Sequence, residues 1–121
     1  MKESHGLETL LELDGAVIAQ TAGYWVKFEV KQVSVSKHIP HGVRYNLTLH
    51  DNCNQRVMGY DNAHTPKAGK RGKYKAQIVT YDHKHQTIKC KGESYSFKSP
   101  GQLIEDFWKS VDVCLNEHGI I

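Results

Sequence analysis

Three histidines, two aspartates and an asparagine gather in two short stretches of this chain, Gly59-Tyr60-Asp61-Asn62-Ala63-His64 and Asp82-His83-Lys84-His85. Such side chains exchange protons, bind metals or grip phosphate, and a small core needs none of them. If residues 83–85 are extended, His83 and His85 share one face while Asp82 and Lys84 share the other. Two chemistries fit that pattern. In the first, His83 and His85 offer two imidazoles to a metal, with His64 or Asp61 as a third ligand. No second pair with close ligand spacing exists, and no cysteine is well placed. In the second, RNA is cut through its own 2′-hydroxyl without a metal or cofactor, which requires a base, an acid and a cation for the charge on phosphate. His64, His83 and His85 then share proton transfer, and Asp61 or Asp82 orients an imidazole. Lys84 and Lys73 hold phosphate, with Arg71, Arg44 and Asn62 as further substrate contacts. The plainer alternative is an Asx turn at Asp61-Asn62 and solvated histidines.

The remaining histidines, His5, His38, His41, His50 and His118, are scattered among polar neighbours and read as surface residues; His41, near Arg44, is the best placed of them to join a site. No Gly-rich phosphate loop and no GxSxG elbow is present. The net charge of +3 hides an asymmetry: residues 64–98 carry +7 and the rest of the chain −4. A basic segment on an otherwise acidic protein suggests a polyanionic partner such as nucleic acid, against the alternative of a solvated lysine loop.

The elements that must position these residues are legible in the hydropathy pattern. Residues 9–13 and 16–20 flank Asp14-Gly15 and read as a hairpin. Val26, Phe28 and Val30 alternate with Lys27, Glu29 and Lys31, and the parity slips after Gln32, which marks a bulge or a strand end. After the turn-like Ile39-Pro40-His41-Gly42, Val43, Tyr45, Leu47 and Leu49 share a face. A turn at 51–54 leads to a strand at 56–60, a basic loop occupies 66–72, and short extended pieces follow at 74–81, 87–90 and 95–97. One helix closes the chain over 99–118. Ser99 is its N-cap, Pro100 its first residue and Gln102 the partner in a capping box. Leu103, Ile104, Phe107, Trp108, Val111, Cys114 and Leu115 form one stripe, and Gly119 stops the helix.

Strands followed by a terminal amphipathic helix predict one α+β domain over residues 1–121, an antiparallel sheet of about five to seven strands with the helix on one face. No apolar run reaches the roughly 18 residues of a membrane span, and the N-terminus lacks a signal-peptide pattern. Cys53, Cys90 and Cys114 read as reduced thiols of a cytoplasmic protein, Cys114 in the core.

Gly59-Tyr60-Asp61-Asn62 with His64, Asp82-His83-Lys84-His85, Tyr95-x-Phe97 and Ser99-Pro100-x-Gln102-Leu103-x-x-Asp106-Phe107-Trp108 together resemble the TumE family of toxins from toxin–antitoxin modules. The resemblance runs from about Val43 to Leu115, and residues 65–81 stand as a lysine-rich insertion against the family's shorter passage. It implies a cytoplasmic toxin neutralised by a cognate antitoxin, typically a helix-turn-helix protein, and a homodimer is compatible with it. Together with the histidine cluster it favours a metal-independent endoribonuclease. A metal-dependent nuclease or phosphotransferase, and a non-enzymatic module that binds nucleic acid or protein, are the alternatives.

Overall fold

The computed structural model describes residues 6–37, 39–62, 82–85 and 93–121, with His83, Glu93 and Ser94 described by backbone alone. The basic loop at 66–72, the extended pieces at 74–81 and 87–90, and His5, His38, His64, Arg71, Lys73 and Cys90 lie outside those residues. Among the described residues, six strands run antiparallel to their neighbours in simple chain order: β1 (Val17–Ala19), β2 (Trp25–Gln32), β3 (Val43–His50), β4 (Arg56–Asp61), β5 (His83–His85) and β6 (Glu93–Ser94). Helix α1 (Leu7–Glu12) precedes them and α2 (Pro100–Glu117) follows. The fold is α+β, an antiparallel sheet carrying a C-terminal helix.

The alternation on β3 is realised directly, with Val43, Tyr45, Leu47 and Leu49 buried on one face. β2 ends at Gln32, where the sequence parity slips. On α2, Leu103, Phe107, Val111, Cys114 and Leu115 are buried, while Ile104 and Trp108 pack at the margin of the same core. Phe107 sits at its centre, edge-on to Phe28 at 5.3 Å and to Tyr60 at 6.1 Å.

The ends of α2 follow local rules. Ser99 Oγ accepts the Gln102 N–H at 3.1 Å. The expected capping box is only half made, because the Gln102 amide donates to Asp106 Oδ1 at 2.9 Å. At the other end the Gly119 N–H reaches Asn116 O and the Ile120 N–H reaches Leu115 O, a Schellman pair that needs the positive φ of Gly119.

The expected hairpin around Asp14-Gly15 is corrected: residues 7–12 are helix, and β1 pairs with β2 instead. Leu7, Leu10 and Leu11 stand at i, i+3 and i+4, so a single helical face delivers Leu10 to full burial. A strand over 9–13 would have split Leu10 and Leu11 between two faces. Gly6 opens the helix at φ 79°, and a Cβ there would stand 2.5 Å from Gly101, so the two helix starts touch through glycines. Asp14 then ties the helix exit to β2. Its carboxylate pairs with Lys31 at 2.9 Å and accepts the Val30 N–H at 2.9 Å, which together hold its pKa below the ordinary carboxylate value.

Candidate functional site

Strand pairing decides which functional side chains share a face. Tyr60 on β4 turns toward α2, where its hydroxyl meets Ser110 Oγ at 2.6 Å. Its neighbours in sequence, Gly59 and Asp61, therefore face away from the helix. β5 pairs Gly59 with His85, Tyr60 with Lys84 and Asp61 with His83. His85 and Asp61 thus share the face away from α2, and their side chains meet: His85 Nε2 lies 2.8 Å from Asp61 Oδ2. Only 11% of the His85 side chain and 13% of the Asp61 side chain are exposed, so the contact is held in a largely water-excluded setting.

Lys84 belongs to the other face. Its ammonium stands 5.7 Å from the Tyr60 ring centroid. It lines a hollow of about 340 Å³ with Tyr95, Asp106, Lys109, Ser110 and Val113. The alternation foreseen for residues 82–85 therefore separates Lys84 from His85 instead of bringing the two together.

Asp82 assembles a second pair. Its Oδ2 accepts the Tyr45 hydroxyl at 2.8 Å and lies 2.9 Å from His41 Nε2. Burial, reinforced by the adjacent Asp82 carboxylate, pushes the Tyr45 phenol far above its ordinary value, so it remains a donor. The His41 ring stacks on Phe97 at 3.8 Å, and its Nδ1 is buried with no hydrogen-bond partner. His41 is therefore packed rather than a surface residue, and it reaches the cluster from the turn before β3. Its place beside Asp82 rests on contact between segments about forty residues apart in sequence. The only sequence signal for it was its position in the turn leading to Arg44.

Asn62 is built into the sheet. Its Oδ1 accepts the Tyr45 N–H at 2.8 Å, its Nδ2 donates to Val43 O at 2.7 Å, and its own N–H reaches Tyr45 O at 3.2 Å. The side chain imitates one more ladder residue and holds β3 and β4 together just beyond Asp61. Arg44 is exposed on β3, next to Asn46 and on the same side of the sheet as Asp61 by register. His83 stands at the register position opposite Asp61. Among the described residues no group of three or more His, Cys, Asp or Glu is arranged to hold a metal.

An antiparallel sheet covered by one helix, with a carboxylate–imidazole pair held across its fourth and fifth strands, defines a small α+β protein whose candidate chemistry is proton transfer. A comparison with protein-family models matches residues 17–113 to the family described as Toxin TumE, and the chain belongs to that family. Comparisons with curated proteins and with solved structures return no match. Family membership gives the chain a toxin's role and implies a cognate antitoxin. Among the described residues, no helix is long and apolar enough to cross a membrane.

Proposed function

We propose that this toxin acts on RNA as a metal-independent endoribonuclease, with the Asp61–His85 pair at the centre of the chemistry. The observation that carries the reading is the 2.8 Å contact between Asp61 Oδ2 and His85 Nε2. With the carboxylate accepting from Nε2–H, neutral His85 keeps its lone pair on Nδ1. That nitrogen takes the 2′-hydroxyl proton as the 2′-oxygen attacks phosphorus. The bond from phosphorus to the 5′-oxygen breaks, and a second imidazole, His64 or His83, gives its proton to the leaving oxygen. The products are a 2′,3′-cyclic phosphate and a 5′-hydroxyl. Asp61 stabilises the imidazolium that forms on His85 and holds the ring in place, a role that does not require the carboxylate to be protonated.

Arg44 lies on the same side of the sheet and serves as a phosphate contact, joined by Arg71 and Lys73 of the basic segment. Lys84 sits on the opposite face, so its contribution to binding is to another part of the RNA. Asn62 contributes by holding the end of β4, and Asp82 by fixing His41. The protein works in the cytoplasm against cellular RNA and is restrained by its antitoxin, a helix-turn-helix protein.

The test is incubation of purified chain with total RNA in the presence of a chelator. Cleavage that persists with chelator and leaves cyclic-phosphate ends supports the reading. Intact RNA beside a competent control nuclease removes it. Asp61→Asn should lower the cleavage rate by about 10²-fold to 10⁴-fold, the usual scale for losing an oriented acid–base group.

A further inference from the structure

The sheet face that holds Asp61 and His85 also carries a strip of side chains the acid–base reading leaves unused. Trp25 and His50, paired across β2 and β3, stack with ring centroids 4.0 Å apart and planes 11° apart. Both rings are held: Trp25 Nε1 donates to Asn54 Oδ1 at 3.1 Å, and His50 Nε2 meets Thr48 Oγ1 at 2.9 Å. Arg56 is the register partner of His50 on β4, and an irregularity in the ladder lies between Leu49 and His50. Arg56 fills the space left open at Gly59, where a Cβ would stand 3.6 Å from Arg56 Cδ. Gly59 is in turn the partner of His85. The Arg56 stem thus runs along β4 toward the residue that faces the Asp61–His85 pair.

The charges on this face are unevenly satisfied. Lys27 is paired with Glu29 at 3.2 Å and Lys31 with Asp14 at 2.9 Å. Arg44 and Arg56 have no ion pair among the described residues. A clamped aromatic platform next to a guanidinium that has no ion pair among the described residues matches a base followed by its phosphate. His50 and His85 are two register rows and two strands apart, roughly 12 Å by strand geometry, so neighbouring nucleotides would span them.

We propose that this strip is a binding site for single-stranded RNA: one base stacks on the outer face of the Trp25–His50 ring pair, the adjoining phosphate pairs with Arg56, and the strand continues to His85. The proposal rests on the RNA reading above and adds where, and in which form, the RNA binds. Stacking is open to any base because each has a π-face, so the site selects single strands over duplex rather than one sequence.

The chain has two tryptophans, so Trp108→Phe leaves Trp25 as the only indole. With His85→Asn added to prevent turnover, this protein is titrated with single-stranded oligouridine. Indole fluorescence is followed in one experiment and the anisotropy of a labelled oligonucleotide in another. Saturable quenching by the single strand and none by duplex RNA is expected. Trp25→Ala should weaken binding roughly tenfold, and Trp25→Phe, which keeps an aromatic face, should restore most of it. Arg56→Gln should also weaken binding and reduce the salt slope by about 0.7, the value for one phosphate contact on a single strand. Melting curves check that each variant is folded. Anisotropy that reports binding with unchanged indole fluorescence and no effect of either substitution overturns this site alone. Absence of oligonucleotide binding by both readouts overturns it together with the RNA reading.

Discussion

Asn62 shows how a polar residue beside a candidate site can be committed to structure. Both ends of its amide satisfy backbone groups of β3 that are otherwise sealed from water. Asn62→Ala should destabilise the protein by about 2 kcal/mol or more, since the Tyr45 N–H and the Val43 carbonyl would both lose their partner. Asn62→Asp should also destabilise, because it turns an oxygen toward the Val43 carbonyl. Chemical denaturation of the two variants checks both. His50 gives a pH signature at the same scale. Burial against Trp25 lowers its pKa below the ordinary 6.5. The unfolded chain therefore binds the proton more readily, and this contribution is present above pH 6.5 and lost as pH falls through the lower folded value. His50→Asn should flatten that part of the stability profile, read as the difference between variant and parent melting temperatures across pH 5 to 8. The types of these residues were visible in the sequence, but their roles were not. Nothing in the pattern around Asn62 distinguishes an amide that meets substrate from one that extends a ladder.

Elements were legible where a single periodicity ran long enough. β3 alternates over eight residues and α2 repeats over eighteen, so each face is defined several times over. Phe107→Ala should cost about 3–5 kcal/mol, because the ring contacts both Phe28 and Tyr60 and leaves a cavity that the sheet cannot close. Ser99→Ala should cost about 1 kcal/mol through loss of the cap to the Gln102 N–H, whereas Gln102→Ala should leave that cap intact. Thermal unfolding separates the two. α1 was misread because six residues carry too few repeats to separate a helix from a strand, and Asp14-Gly15 is a strong local hairpin signal. Burial of Leu10 against the rest of the core outweighed that signal. β5 and β6 are so short that only pairing with β4 and with each other defines them.

At the scale of the molecule, a toxin must be folded and active to arrest growth, and the two requirements can be separated. Expression of the chain alone should stop growth, and co-expression of its antitoxin should relieve the arrest. Phe107→Ala should abolish toxicity with loss of the folded state, while His85→Asn should abolish it with the melting curve largely retained. Growth curves beside circular dichroism of the purified variants distinguish these outcomes. Composition and periodicity alone were enough for the α+β class, the C-terminal helix with its cap and stop, and the buried face of β3. Those features depend on neighbours within one turn or one strand, so local sequence encodes them. Which carboxylate meets which imidazole was decided by tertiary structure. Asp61 reaches His85 through the β4–β5 register, Asp82 reaches His41 across about forty residues, and Lys84 is sent to the opposite face. Register is a long-range property: a shift of one residue exchanges the faces, and only the packing of the whole sheet against α2 chooses between them.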